Sequence, residues 1–168
     1  RRRQRQMCIR DSLYIRDDGS SDDTVSIIKE YAKKSNKIVL VDGILTTGGL
    51  TENFFTLLNY VDANYYMFAD QDDVWLHNKI SESLKAIENI QLKNPRKSIL
   101  VGSHFMACDS NMKYMKPYFW YSHIGQERFF NFDLAAVNSS LPGAEMIFNK
   151  YLRDGIIKEK SCLLYTSP

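Results

Sequence analysis

From Leu13 onward, short apolar runs of strand length alternate with segments whose apolar residues recur at helical spacing. That order selects an α/β sheet with helices packed on it, because each kind of element must bury its apolar face against the other. Leu13-Tyr14-Ile15-Arg16 reads as a strand end, Asp17-Asp18-Gly19-Ser20 as a turn, and Ser20 or Ser21 as the N-cap of a helix to about Lys34. Val25, Ile28 and Ala32 fall on one face of that helix, and Ile27 and Tyr31 widen it. Asp22 and Asp23 are expected in its first turn, where carboxylates favour the helix dipole. A second strand over 37–41 leads to a Gly-containing loop, 42–49, and a helix over 51–61 with Phe54, Leu58 and Val61 on one stripe. Tyr65-Tyr66-Met67-Phe68-Ala69 is a continuous apolar run of the kind buried in a sheet, and it stops abruptly at Asp70-Gln71-Asp72-Asp73. A helix over 78–92 with Ile80, Leu84 and Ile87 inward follows, then a polar linker over 93–98 and a fourth strand over 99–103. Beyond it the pattern is less regular: 105–123 is rich in Met and aromatics, 126–137 has helical character, and 144–148 reads as another strand.

No stretch approaches the roughly 20 apolar residues that a membrane-spanning helix requires. The formal net charge of +2 is a poor guide to partners, because five of the 22 basic residues, Arg1, Arg2, Arg3, Arg5 and Arg10, crowd into the first ten positions. Residues 1–12 (RRRQRQMCIRDS) and 161–168 (SCLLYTSP) resemble translated sequencing-adapter read-through, and both are set aside as non-native when the fold is read. Without them 17 basic residues face 19 acidic ones, and the basic character that would favour a nucleic-acid partner disappears. Cys108 then stands alone, which excludes a disulfide framework or a multi-cysteine zinc site and fits a reducing compartment.

Acidic residues stand at the C-terminal ends of two separate strands, Asp17 and Asp18 after the first and Asp70, Asp72 and Asp73 after the third. In open α/β sheets ligands bind outside the carboxyl ends of the strands. Carboxylates placed there hold a hard divalent cation, Mg2+ or Mn2+, which in turn neutralises a diphosphate. Asp70 and Asp72, two positions apart in a loop, are able to face one ion. An Asp-x-Asp pair is weak by itself, since 13 Asp in 168 residues produce about one by chance. Its place gives it weight, because carboxylates crowded after a buried strand repel one another unless something positive sits there. The competing reading is an acidic, solvated turn.

IRDDGSSDDTVSIIKEY, the Gly-containing loop leading into GGLTENFFTLL, YYMFADQDDVWLHNKI and LPGAEMIFNK together closely resemble family 2 glycosyltransferases of the GT-A fold, in particular the rhamnosyltransferase-like bacterial enzymes. The resemblance covers about residues 13 to 158 with its motifs in the right order, and the DQDDVW string is more diagnostic than a lone Asp-x-Asp. It implies an α/β, Rossmann-like nucleotide-diphospho-sugar transferase fold: a mixed, mostly parallel sheet flanked by helices. That domain is expected to be partial, spanning 13–160 between the two adapter-like ends.

The resemblance also implies roles. Asp18 contacts the nucleotide base with Asp17 beside it, Asp70 lies near the ribose and the metal, Asp72 is the direct metal ligand, and Asp73 is a further contact. Trp75 and Lys79 match the pattern that continues the loop into its helix, and they read either as donor contacts or as a packing anchor and a surface charge. The implied reaction is inverting transfer of a sugar, rhamnose among the candidates, from a dTDP or UDP sugar to a glycan or lipid-linked acceptor. Its setting is surface polysaccharide synthesis at the cytoplasmic face of a bacterial plasma membrane, with the parent protein membrane-associated. The metal stabilises charge on the leaving diphosphate, and a carboxylate removes the proton of the attacking hydroxyl. In the family that base follows the segment matching Gly143 to Lys150, and it is expected to lie outside this chain. Asp154, the nearest acidic residue, reads as a surface position of the helix after Phe148. The Tyr-Asn-like strand that opens family members is not matched either, so the chain alone is expected to be inactive. Glu52 stands where relatives often carry a basic residue near the phosphates.

His104, just past the fourth strand, reads as a donor or acceptor contact or as a structural residue. Cys108 reads as a core or near-core residue, with nothing nearby to activate a thiolate. Tyr118-Phe119-Trp120-Tyr121 offers ring faces suited to stacking on a sugar, which makes Trp120 a candidate acceptor contact against plain packing. Two other function classes compete. A sugar nucleotidyltransferase shares the sheet and the metal, but needs a Gly-rich phosphate loop with a basic residue close to the first strand, which the sequence does not retain. A non-enzymatic metal- or carbohydrate-binding module is the other; as an EF-hand beginning at Asp17 it fails, because its third ligand position is Gly19.

Overall fold

The computed structural model describes residues 11–42, 49–103, 106–109, 111, 113 and 143–159. The chain divides into two compact units, Arg1–Val61 and Asp62–Pro168.

In the first unit, strand β1 (Leu13–Ile15) is followed by helix α1 (Thr24–Lys34), strand β2 (Ile38–Leu40) and helix α2 (Leu50–Tyr60). β1 and β2 pair in parallel, Leu13 against Ile38 and Ile15 against Leu40, and the N–H of Val41 extends the ladder to the Ile15 carbonyl at 2.8 Å. Parallel neighbours need a crossover, and α1 supplies it. Its apolar face is narrower than the sequence suggests. Val25, Ile28 and Ala32 are half-buried, whereas Ile27 and Tyr31 are 51% and 56% exposed. The helix also starts later than Ser20 or Ser21: Asp23 occupies the N-cap position, and Asp22 precedes it. Competition for backbone donors explains the delay. The Asp17 carboxylate takes the N–H groups of Gly19 and Ser20, and Asp22 takes that of Thr24, so 17–22 is held as loop. Gly19 has φ 106°, a left-handed conformation that a side chain would strain.

The second unit contains β3 (Tyr65–Met67), α3 (Lys79–Lys93), β4 (Leu100–Gly102), a 3-10 turn (Gly143–Glu145), β5 (Met146–Asn149) and α4 (Lys150–Glu159). Its sheet runs in the order β3-β5-β4, with β5 antiparallel to both neighbours. Among the described residues parallel pairing is confined to β1 and β2, and both pairings of the three-stranded sheet are antiparallel. The crossover through α3 returns β4 in the direction of β3 one strand further on, and β5 fills the gap. A central strand buries both faces. On one face Ile147 packs with Ile87, Ile99, Leu84 and Val101, and on the other Phe148 stacks on Tyr66 at 5.5 Å and meets Phe68 at 5.4 Å. Ile80, expected inward, is 38% exposed, so the buried stripe of α3 begins a turn later. Ile87 is fully buried, and Ile87→Val is expected to cost about 1 kcal/mol in urea unfolding with an unchanged m-value. Among the described residues no helix is long and apolar enough to cross a membrane.

Candidate functional site

In the first unit the acidic turn after β1 is built around a buried cation. The side chain of Arg16 is 1% exposed, and its Nη1 donates to Asp18 Oδ1 at 2.9 Å and to Asn53 Oδ1 at 2.7 Å. Asn53, on the first turn of α2, returns a bond from Nδ2 to the Arg16 carbonyl at 3.3 Å. Asp18 is thus fixed from beneath while its side chain stays 27% exposed. Asp17 differs. The Ser20 hydroxyl and the N–H groups of Ser20 and Gly19 hold its carboxyl below the usual carboxylate range, which makes Asp17 the residue that shapes the turn. Glu52 lies exposed in the first turn of α2.

In the second unit β3 opens into the loop carrying Asp70, Asp72 and Asp73, closed by a bond from the Asp73 N–H to the Asp70 carbonyl at 3.4 Å. Asp70 is half-buried; Asp72 and Asp73 are exposed. Burial pushes the Asp70 carboxyl above its ordinary range, Asp73 and Asp72 add to the push, and Lys79 opposes it. The Lys79 ammonium sits 4.4 Å from the centre of the Trp75 ring and donates to the Ala144 carbonyl at 2.7 Å. Ala144 belongs to the turn ahead of β5, and the antiparallel register, Met67 against Ile147 and Gly102 against Met146, sets that turn at the carboxyl ends of β3 and β4. The same turn brings in Glu145, 6% exposed, whose carbonyl accepts both the N–H (2.8 Å) and the hydroxyl (3.0 Å) of Ser103. Burial pushes its carboxyl up to about 7, with Lys79 opposing and Asp73 reinforcing.

A family model described as Glycosyl transferase family 2 matches residues 4–155. The chain belongs to glycosyltransferase family 2. It is similar to the dTDP-rhamnosyl transferase RfbG of Shigella flexneri, 32% identical over 80 residues, an alignment that takes in 45% of this chain and 28% of that protein. The expected α/β fold of this family is therefore the one the chain adopts in part.

Among the described residues of the family 2 chain, no three His, Cys, Asp or Glu side chains converge on a common point. Mg2+ nevertheless binds commonly through one or two carboxylates, with substrate phosphates and water completing the shell. The acidic loop fits that chemistry: it offers hard oxygen ligands, and a positive charge would relieve the repulsion that Asp70 feels from Asp72 and Asp73.

Of the other expected contacts, Trp75 and Lys79 are brought together as a ring and ammonium pair, so Lys79 is no free surface charge. His104 and Trp120 lie outside the described residues. Cys108, expected in or near the core, is exposed, its thiol within 3.8 Å of the Met106 carbonyl. Asp154 is an exposed residue of α4 that accepts a bond from Arg153 at 2.9 Å. With Asn64, Gln91, Asn149, Lys150 and Tyr151 it lines a cleft of about 220 Å³. That cleft lies where Tyr65 pairs with Asn149, at the end of the strands opposite the acidic loop.

Arg16, Asn53 and Glu145 were not evident as site residues in the sequence. The available signals were a charged residue closing an apolar strand and an acid shortly ahead of the buried Ile147-Phe148. Glu145 also makes stability depend on pH. Its folded carboxyl titrates near 7 against 4.5 in a free chain, so the folded state holds the proton more tightly and stability falls as pH rises through that window. Between pH 4.5 and 8, wild type should lose on the order of 3 kcal/mol relative to Glu145→Gln. Urea midpoints of both proteins at the two pH values check this, and parallel profiles would refute it.

Proposed function

We propose that this chain is the donor-binding portion of an inverting, metal-dependent glycosyltransferase. The sugar, rhamnose in the first instance, moves from a dTDP or UDP carrier to a hydroxyl of a glycan or lipid-linked acceptor. The setting is surface polysaccharide synthesis at the cytoplasmic face of the bacterial plasma membrane. The observation that carries the reading is the half-buried Asp70 at the head of a carboxylate loop with Lys79 beside it, at the carboxyl end of a strand, in a family 2 chain. The name of the Shigella flexneri relative supports dTDP as the carrier and rhamnose as the cargo.

In this scheme Asp18, locked by Arg16 and Asn53, accepts from the nucleotide base, and Asp17 keeps the turn in shape. Asp70 serves the ribose and the metal, Asp72 ligates the metal, and Asp73 adds negative charge next to it. A divalent cation there supplies charge stabilisation for the departing diphosphate. Lys79, whose charge acts on Asp70, offsets part of the loop's negative charge. Calorimetric titration of dTDP and UDP with Mn2+ and with EDTA tests the proposal. Tighter binding with the metal, and of dTDP over UDP, is expected; equal affinity with metal and chelator would sink the metal-dependent reading.

A further inference from the structure

Glu145 has a combination of properties that the roles above do not use. It is 6% exposed, and its Oε2 finds no hydrogen-bond donor among the described residues. A buried carboxylate oxygen without a donor costs stability, so its retention calls for a compensating group. Backbone geometry fixes where that group must come from. The register of β5 sets Glu145 at the carboxyl ends of β3 and β4, its carbonyl is tied to Ser103, and the preceding carbonyl is tied to Lys79. Lys79 and Asp73 both act on the carboxyl, which puts it within electrostatic reach of the acidic loop.

The chemistry of the missing partner is narrow. Charged or neutral, the carboxyl keeps unfilled acceptor capacity, and the partner that fills it must donate. Diphosphate oxygens are acceptors and anionic, and are repelled. A second cation is disfavoured by the Lys79 ammonium already present. A neutral donor remains, and the bond of a hydroxyl to a carboxylate is charge-assisted and strong. A sugar attached to a diphosphate carries such hydroxyls next to the loop that would hold the diphosphate. Resting on the function proposed above, we propose that Glu145 accepts a hydrogen bond from a hydroxyl of the donor's sugar, so that it recognises the transferred group and not the nucleotide.

The test compares ratios of affinity, measured by calorimetry in Mn2+ with the full chain. For wild type, Glu145→Gln and Glu145→Ala, the dissociation constants of dTDP and dTDP-rhamnose are determined, with UDP and UDP-glucose as a second pair. Glu145→Ala should leave nucleoside diphosphate affinity within about twofold of wild type and shift the ratio against the sugar nucleotide roughly tenfold or more in at least one pair. Glu145→Gln, which keeps the shape and one acceptor oxygen, should shift it several-fold less. An unchanged ratio in both pairs overturns the proposal. So does a parallel loss of both affinities, which would make Glu145 a folding residue only. If wild type binds neither nucleoside diphosphate with Mn2+, the donor-binding reading itself falls and takes this proposal with it, a result distinct from an unchanged ratio.

Discussion

In saturating Mn2+, Asp72→Ala is expected to bind dTDP roughly a hundredfold more weakly than wild type, and in EDTA the two should bind alike. The size follows from the physics of the contact, since a divalent cation bridging a carboxylate and a diphosphate is worth several kcal/mol. Asp72 is the right residue to remove because it is exposed, so its loss leaves the packing of β3, β5 and β4 untouched. Asp70→Asn makes an instructive contrast. The Asp70 carboxyl is raised by burial and by its acidic neighbours, so neutralising it should stabilise the metal-free chain at neutral pH while weakening diphosphate binding. A solvated turn with no ligand would give the stability gain without the binding loss. Equal dTDP affinity of wild type and Asp72→Ala in Mn2+ rejects Asp72 as the ligand.

The two acidic loops are negative for different reasons, and only one is left in tension. After β1, the buried Arg16 guanidinium bonds Asp18, and Ser20 with the turn amides satisfies Asp17. That loop is internally compensated and preorganised, as suits recognition of a neutral base by hydrogen bonds. After β3, Asp70 remains above its usual range despite Lys79. Uncompensated negative charge suits a cation. On the function proposed above, a bound cation would relieve that repulsion.

The order of strands and helices was legible because period-2 and period-3.6 patterns are local, and the strands together with α2 and α3 fall within about two positions of their expected places. The candidate acidic positions were legible because they coincide with strand ends, as at Asp17, Asp18 and Asp70 to Asp73. What depends on pairing across the chain was illegible. Glu145 reaches the carboxyl ends of β3 and β4 only because β5 runs antiparallel into the gap between them, which no spacing near Glu145 announces. Arg16 looks like a strand-end surface charge until Asn53, 37 positions away, closes a bond onto it. The late start of α1 is a third case: both serines are good caps, but the carboxylate of Asp17 satisfies its own turn first.

Asn149→Ala is expected to destabilise the second unit by about 3–5 kcal/mol, a large part of the roughly 5–15 kcal/mol that holds a domain folded. Asn149 ends β5, is 1% exposed, and uses the full capacity of its amide. Its Oδ1 accepts the N–H groups of Ile99 and Leu152, each at 3.1 Å, and its Nδ2 donates to the Lys97 carbonyl at 2.8 Å and to Gln91 Oε1 at 3.2 Å. One side chain therefore ties the end of α3, the linker after it, the entry to β4 and the first turn of α4. Alanine leaves two backbone donors and one carbonyl without their side-chain partner, and the cost of unpaired groups adds to what the lost side-chain volume alone would give. Asn149→Asp should be at least as damaging, because it turns two donors into acceptors facing the Lys97 carbonyl and Gln91 Oε1. Hydrogen exchange separates this account from a simple cavity. The amides of Ile99 and Leu152 should lose protection more than those in the middle of α3, whereas a cavity would lower protection across the unit uniformly. A destabilisation under about 1 kcal/mol would show that the hydrogen bonds of Asn149 are replaced by water at little cost and that the second unit is held by its apolar contacts alone.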